Sequence, residues 1–368
     1  MTLLTDDQKM LQDTAAYFLA EEGGPAKQFR PLRERGCTDG FSDDLWTKFG
    51  ELGLSAVAIP ESHGGLGLGA TEAALILEEI GRNLTPSPFL ISGVAAARAI
   101  AGTAQADQWY PRILSGEAIL ALAVDEGPRH RPETIALEAK RRGNGFVLNG
   151  NKQFVVQGAS ADMIVTAART ENGITLFAVP KGAAAMENVS LVDGSKAARL
   201  HFDKVALDAD AVIGEVDGGW APLGRALDAG RAGAAAELVG VAAGISGMTV
   251  DYLSQRKQFG RMIGEFQALQ HRAAHLYGEI EIARAATLKA AQLLDSGDDN
   301  APLFVSVAKA KAADVAGLAA REGVQMHGGI GMTDEHDAGL YMKRVAVLEE
   351  LFGDVFYHRE RVATLSVY

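Results

Sequence analysis

Cysteine is almost missing from this chain. Cys37 is the single one among 368 residues, which excludes a disulfide framework and a thiolate metal cage and fits a reducing cytoplasm. Positive charge is also short: 35 Lys and Arg stand against 47 Asp and Glu, a formal charge of −12. That balance argues against nucleic acid or an anionic membrane surface as a partner. Any anionic ligand must then be met by a local cluster of cations. No long apolar run stands uninterrupted. The most apolar stretch, Ala232 to Val250, contains Glu237 and many small residues and reads as a tightly packed internal helix, not a membrane span. The opening Met-Thr-Leu-Leu-Thr-Asp-Asp lacks a basic region followed by apolar residues, so no secretory leader is read. Internal repeats and low-complexity linkers are lacking too.

What is present is a chain long enough for two or three domains. The first third has helical periodicity. Thr5-Asp-Asp-Gln8 is a capping box ahead of Leu11, Ala15, Phe18 and Leu19; Ser42 opens a second helix, a third spans about Thr71 to Gly81, and two more precede Gly116. From Ala118 the pattern alternates. Ile135–Leu137, Gly145–Leu148, Phe154–Val156, Met163–Ala167, Ile174–Val179 and Ala198–Phe202 are strand candidates, with turns at Asn144-Gly145, Asn149-Gly150 and Asn172-Gly173. After Gly218-Gly219-Trp220 long helices return, broken at Phe259–Gly264, Ser296–Pro302 and Gly328–Thr333. The expected architecture is a multidomain α+β protein: a helical domain over 1–117, a central β-barrel over 118–216 and a helical bundle over 217–368.

Two segments carry chemistry. In Tyr252-Leu-Ser-Gln-Arg256-Lys-Gln258-Phe259-Gly260-Arg-Met-Ile263-Gly-Glu-Phe266-Gln267, an arginine, amides and aromatic rings surround a glycine turn. A guanidinium pairs with phosphate oxygens as a fork, and an aromatic face stacks on a planar base. Gln325-Met-His-Gly328-Gly329-Ile-Gly-Met-Thr333 adds a second small-residue turn that lets backbone N–H groups approach an anion. Alone, Arg256-x-x-Phe-Gly reads equally well as a helix end with a glycine cap. The two together favour a ligand.

In this order near the C-terminus, the two segments resemble the acyl-CoA dehydrogenase family of flavoproteins, and the resemblance covers nearly the whole chain. The variable parts are most similar to the small subunits of bacterial paired-subunit members, such as the pimeloyl-CoA dehydrogenases. The resemblance implies FAD as cofactor and an acyl-CoA thioester oxidised to its 2,3-enoyl form, with electrons passed to an electron-transfer flavoprotein. It implies dimers within a homo- or hetero-tetramer. It places Arg256, Gln258, Phe259, Ile263, Phe266 and Gln267 around the FAD diphosphate and adenine, with Gln325, Gly328 and Gly329 completing the grip on a neighbouring subunit's flavin.

Other positions depart from the family's pattern. The strand that usually ends in Thr-Glu-Pro followed by Gly-Ser-Asp reads Leu122-Ala-Val-Asp125-Glu-Gly-Pro128-Arg129-His-Arg131 here. Trp-Ile-Thr becomes Phe154-Val-Val156, which keeps an aromatic cover but loses the hydroxyl donor. Leu122, Asp125, Phe154 and Val156 remain candidates for flavin contact. Arg129 and Arg131 read as exposed loop residues, with a phosphate or distal carboxylate as the alternative. The family's two positions for the general base fall on Gly230 and Phe352, neither of which can take a proton. Asp228 and Asp354 are the substitutes to test, while Glu349 and Glu350 read as helix-surface charges. A base-depleted small subunit explains this pattern. The alternatives are an active homotetramer with a relocated base, a flavin-dependent monooxygenase, and a non-catalytic scaffold that binds acyl-CoA or a partner. His63-Gly-Gly-Leu-Gly-Leu-Gly69 has no βαβ context and reads as a packing turn. His271 and His275 lack a third ligand, so no metal is expected.

Overall fold

A computed structural model describes residues 4–366; the first three residues of the leader reading lie outside them. The chain gathers into two compact units. One comprises 1–31, 70–85 and 231–368, the other 32–69 and 86–230.

The first unit is helical. Its helix α1 (Asp6–Glu22) starts at the capping box: the Gln8 N–H donates to Thr5 Oγ1 at 3.2 Å and the Thr5 N–H donates to Gln8 Oε1 at 3.0 Å. Ala15, Phe18 and Leu19 are its buried stripe. The short α2 (Phe29–Glu34) spans the division between the units, the Ser42-capped α3 (Asp43–Glu51) belongs to the second, and α4 (Ala70–Arg82) returns to the first. Helix α7 (Trp220–Gln255) contributes its residues from Arg231 onward to this unit. Its small residues let another backbone come close: a methyl on Gly240 would collide with the carbonyl of Glu78 on α4, and one on Gly81 with the carbonyl of Glu237. Among the described residues α7 alone is long and apolar enough to cross a membrane, and 67% of its apolar window is buried within the protein. That burial accounts for its hydrophobicity. The remaining helices are α8 (Gln267–Ser296), α9 (Ala301–His327), α10 (Ala338–Glu350) and α11 (Val355–Leu365), with the breaks where the sequence put them.

The second unit holds π-helical Phe89–Ala96 running into α5 (Ala97–Ile100), then α6 (Ala104–Leu114), then a sheet. Its strands are β1 (Leu120–Ala123), β2 (Glu138–Arg142), β3 (Gly145–Val156), β4 (Met163–Arg169), β5 (Ile174–Pro180), β6 (Ala185–Ser190), β7 (Lys196–Leu207) and β8 (Val212–Ile213). The expected barrel takes the form of an eight-stranded sheet ordered β6-β7-β3-β2-β4-β5-β8, with β1 parallel to β4. Phe146, Leu148, Val155, Phe177, Leu200 and Phe202 form its core.

Three local expectations are corrected. Ile135–Leu137 is not a strand, because the Pro132–Thr134 turn precedes it and the ladder begins at Glu138; its buried Ile135 and Leu137 gave the alternating signal. Asn149-Gly150 is not a turn. It is a bulge inside β3, with Gly150 at φ +138°, and joins two expected strands into one. The β2–β3 hairpin turns at Gly143-Asn144, one residue earlier than read, since Gly143 supplies the positive φ and Arg142 pairs with Gly145. The His63–Gly69 segment is a packing turn, pinned by His63 Nε2 against Asp107 Oδ1 at 2.9 Å.

Candidate active site

The Arg256–Gln267 segment emerges where α7 ends. Strands β9 (Lys257–Gln258) and β10 (Arg261–Met262) pair across a two-residue turn, in which Phe259 has φ +52° and Gly260 φ +80°. This is the backbone that makes a tight hairpin, and it lifts the Phe259 ring into solvent at 89% exposure. Phe266 stands edge-on to Phe259 with ring centroids 6.1 Å apart, and the Arg261 guanidinium covers Phe266 at 4.1 Å. Arg256, Gln258 and Gln267 are exposed around the hairpin, and Ile263 is tied back by its N–H to the Arg256 carbonyl at 2.9 Å. The sequence reading passed over Arg261, although its position two residues past Phe259 was visible.

The Gly328–Gly329 turn lies in the same unit. A ring stack joins the two segments: Tyr252, one turn before Arg256, lies 4.6 Å from His327, which lies 4.5 Å from His336. The Nδ1–H of His327 donates to the Gly323 carbonyl at 2.7 Å, and burial depresses its pKa. Gln325 is exposed. A Cβ built on Gly328 or Gly329 would meet nothing within 4 Å, and Gly328 has φ +64°. The space beside the turn is open, while the Gly328 N–H closes the helix end by donating to the Gln325 and Val324 carbonyls.

The other unit positions Leu122, Asp125, Phe154 and Val156. The end of β1 is stitched to β3 by the Gln153 N–H donating to the Asp125 carbonyl at 2.7 Å and Lys152 Nζ donating to the Val124 carbonyl at 2.9 Å. Lys152 is fully buried and also meets Glu126 at 2.7 Å; burial lowers its pKa to about 8 despite that carboxylate. A bulge between Lys152 and Val155 sets Phe154 at φ +52°, which takes its ring out of the ladder's alternation. Val156 pairs with Ala197 and offers only methyl groups. Asp125 is engaged by His130 Nδ1 at 2.8 Å. Leu122 is buried in β1, beside Val165 of β4.

The position expected for a base is filled by an apolar ring under tight control. Phe352 is 6% exposed at φ +61°, followed by Gly353 at φ +110°, where a side chain would strike the Tyr357 ring. Arg231 of α7 reaches this turn, its Nε 3.4 Å from the Phe352 carbonyl and its Nη2 donating to the Tyr357 hydroxyl at 2.8 Å. Lys309 of α9 is fully buried and donates to the carbonyls of Leu348, Glu349 and Gly353 at 2.9–3.1 Å. Burial pushes its pKa down to about 7. Both cations escaped the sequence reading. The available signal was Lys309 within the buried spacing Val305, Ala308, Ala312 and Val315.

Of the substitute acids, Asp354 caps α11, accepting the Tyr357 N–H at 2.7 Å. Asp228 is buried on α7, two residues before Gly230. Glu237 is ion-paired with Arg344 at 2.5 Å and is structural. Glu349 is half-buried, and desolvation raises its pKa.

Three family models cover most of the chain: the acyl-CoA dehydrogenase N-terminal domain over 5–117, the middle domain over 128–205 and the C-terminal domain over 217–365. The chain belongs to the acyl-CoA dehydrogenase family. Cyclohex-1-ene-1-carbonyl-CoA dehydrogenase of Geobacter metallireducens is 32% identical to this dehydrogenase over 362 residues, 93% of each chain. Isovaleryl-CoA dehydrogenase of Pongo abelii is 29% identical, covering 94% of this chain and 85% of that protein. Among solved structures, a chain of the ChsE4–ChsE5 complex of Mycobacterium tuberculosis superposes with a TM-score of 0.91 at 26% identity, over 100% of this chain and 99% of that one. The dehydrogenase is thus an oxidoreductase acting on the CH–CH group of acyl-CoA thioesters, and members of its family are FAD flavoproteins. Its residues fit that cofactor at the adenine–diphosphate end. The hairpin supplies a cation, amides and an unsheltered ring, and the glycine turn leaves the space that a diphosphate needs.

Proposed function

We propose that this dehydrogenase chain is the base-depleted small subunit of a hetero-oligomeric acyl-CoA dehydrogenase, serving chiefly to complete a large subunit's flavin site. The observation that carries this reading is Phe352, buried and clamped where a carboxylate is required, together with Gly230 at the other base position. In this reading the 1–117, 118–216 and 217–368 divisions keep their family roles. Arg256, Gln258, Phe259, Ile263, Phe266 and Gln267 hold the adenine and diphosphate, and Gln325, Gly328 and Gly329 close over the diphosphate. When bound, FAD supplies the two-electron acceptor for the hydride leaving the β-carbon. Leu122, Asp125, Phe154 and Val156 wall the ring end and exclude water, without a hydroxyl to donate from Val156. The α-proton must be taken by a residue of the large subunit, electrons leave to an electron-transfer flavoprotein, and the assembly works in the cytoplasm.

Likeness to a chain of a two-protein complex supports the reading. Its test is purification of the chain alone and co-expressed with a large-subunit relative. Alone it should oxidise acyl-CoA poorly and hold little FAD; together, flavin and turnover should appear. Stoichiometric FAD and full activity in the lone oligomer would refute it. A second reading keeps the chain active by itself with Asp228 as base. Its burial favours it over Asp354, whose carboxylate is committed to a helix cap. Loss of α-proton exchange in Asp228→Asn would establish that reading.

A further inference from the structure

A cleft of about 320 Å³ opens beside the end of β1, lined by Val124, Glu126, Pro128, Arg129, Arg131 and Ile135 among others. Its charge is not what the sequence suggests. Glu126 Oε1 accepts from Lys152 Nζ at 2.7 Å and from the Leu137 N–H at 2.9 Å, while Oε2 accepts from the Ala136 N–H at 2.7 Å. A buried lysine and two amides therefore consume that carboxylate. Asp125 is likewise taken up by His130, whose side chain is only 3% exposed. His130 turns inward, and its two neighbours turn outward into the cleft. Neither guanidinium has a partner among the described residues. The backbone beneath is held: Pro132 is buried, and the Arg131 carbonyl accepts both the Thr134 N–H and its hydroxyl at 3.0 Å. What remains is a pair of arginines on a fixed loop, over a cleft whose lining acid, Glu126, is paired with Lys152, in a chain of net charge −12.

We infer that Arg129 and Arg131 form an oxyanion subsite for the acyl-CoA ligand, receiving either the 3′-phosphate of the coenzyme or a carboxylate at the far end of the acyl chain. Two guanidinium forks on a rigid loop suit a tetrahedral or planar oxyanion, and the apolar Val124, Pro128 and Ile135 shield the contact on one side. This inference rests on the acyl-CoA reading of the chain and not on the small-subunit assignment.

The test compares the full-length protein, in the assembly in which it purifies, with Arg129→Gln/Arg131→Gln, using calorimetric titration at low and physiological salt. The probes are CoA against 3′-dephospho-CoA, and an ω-carboxyacyl-CoA against the acyl-CoA of equal length without the terminal carboxylate. The wild type should prefer the member bearing the additional oxyanion in at least one pair by about tenfold, falling with salt. The double variant should lose that preference while its affinity for the member lacking that group and its melting temperature stay put. The pair that loses its preference identifies the source of the oxyanion. Arg129→Lys/Arg131→Lys should retain part of it. Binding with no preference in the wild type, or a preference that survives the double variant, overturns the subsite alone. Failure of all four probes to bind overturns the acyl-CoA reading with it.

Discussion

Phe259-Gly260 and Phe352-Gly353 are the same dipeptide in nearly the same backbone, both phenylalanines at φ between +52° and +61° and both glycines at positive φ. They belong to the same helical unit, yet one ring is 89% exposed and the other 6%. The difference lies in what surrounds each turn. Among the described residues the first has its hairpin partner and Phe266 beside it; the second is gripped through its carbonyls by Arg231 and Lys309. An exposed turn offers its side chain to a ligand, whereas a clamped turn fixes whatever side chain the sequence puts there. In the proposed reading the first turn still serves a ligand, and the second holds Phe352 where a reacting carboxylate is expected.

The sharpest way to break that contrast is to return a carboxylate to the clamped turn. Phe352→Glu should raise acyl-CoA-dependent dye reduction by the chain purified alone and supplied with FAD by about 10²-fold or more, the span that general-base catalysis provides. No gain, with flavin retained, would show that more than the base has been lost.

Next in size is the clamp itself. Lys309→Met leaves three buried carbonyls without their donor and should cost about 3 kcal/mol or more in denaturant unfolding. The same variant carries a pH signature. Folded Lys309 gives up its proton near pH 7 and the unfolded side chain only near 10.5, so the unfolded chain binds more protons between these values and Lys309's contribution to stability increases as pH rises. The wild-type melting temperature should therefore climb relative to Lys309→Met from pH 7 toward 9, and parallel curves would contradict the assignment.

On the exposed side, Arg256→Gln should weaken FAD binding about 10- to 100-fold, as expected for a lost charge-assisted phosphate contact, with the melting temperature little changed. Equilibrium dialysis of the flavin measures it. Smaller again, Asp354→Ala should cost about 1 kcal/mol as a lost helix cap. An accompanying loss of α-proton exchange would instead make it a base.

Legibility followed the same divide. The helix starts at Thr5 and Ser42, the bundle breaks and the hairpin at Gly260 could be read because each rests on local chemistry: a cap, a glycine, a charged segment between apolar ones. Asn149-Gly150 misled for the converse reason, since the dipeptide that favours a turn also favours a bulge, and only the pairing of β3 with β7 decides. The apolar residue at the expected base position, Phe352, could be read by position alone. The clamp could not, because Arg231 and Lys309 lie 121 and 44 residues from the carbonyls they hold, and no periodicity links a cation to a distant peptide.

The contact between Tyr252 and His327 couples two helix ends that the sequence keeps far apart. Displacing either ring should loosen the arginine-bearing hairpin and the diglycine bend at once, so a nucleotide resting on both would be released in a single step and not by halves.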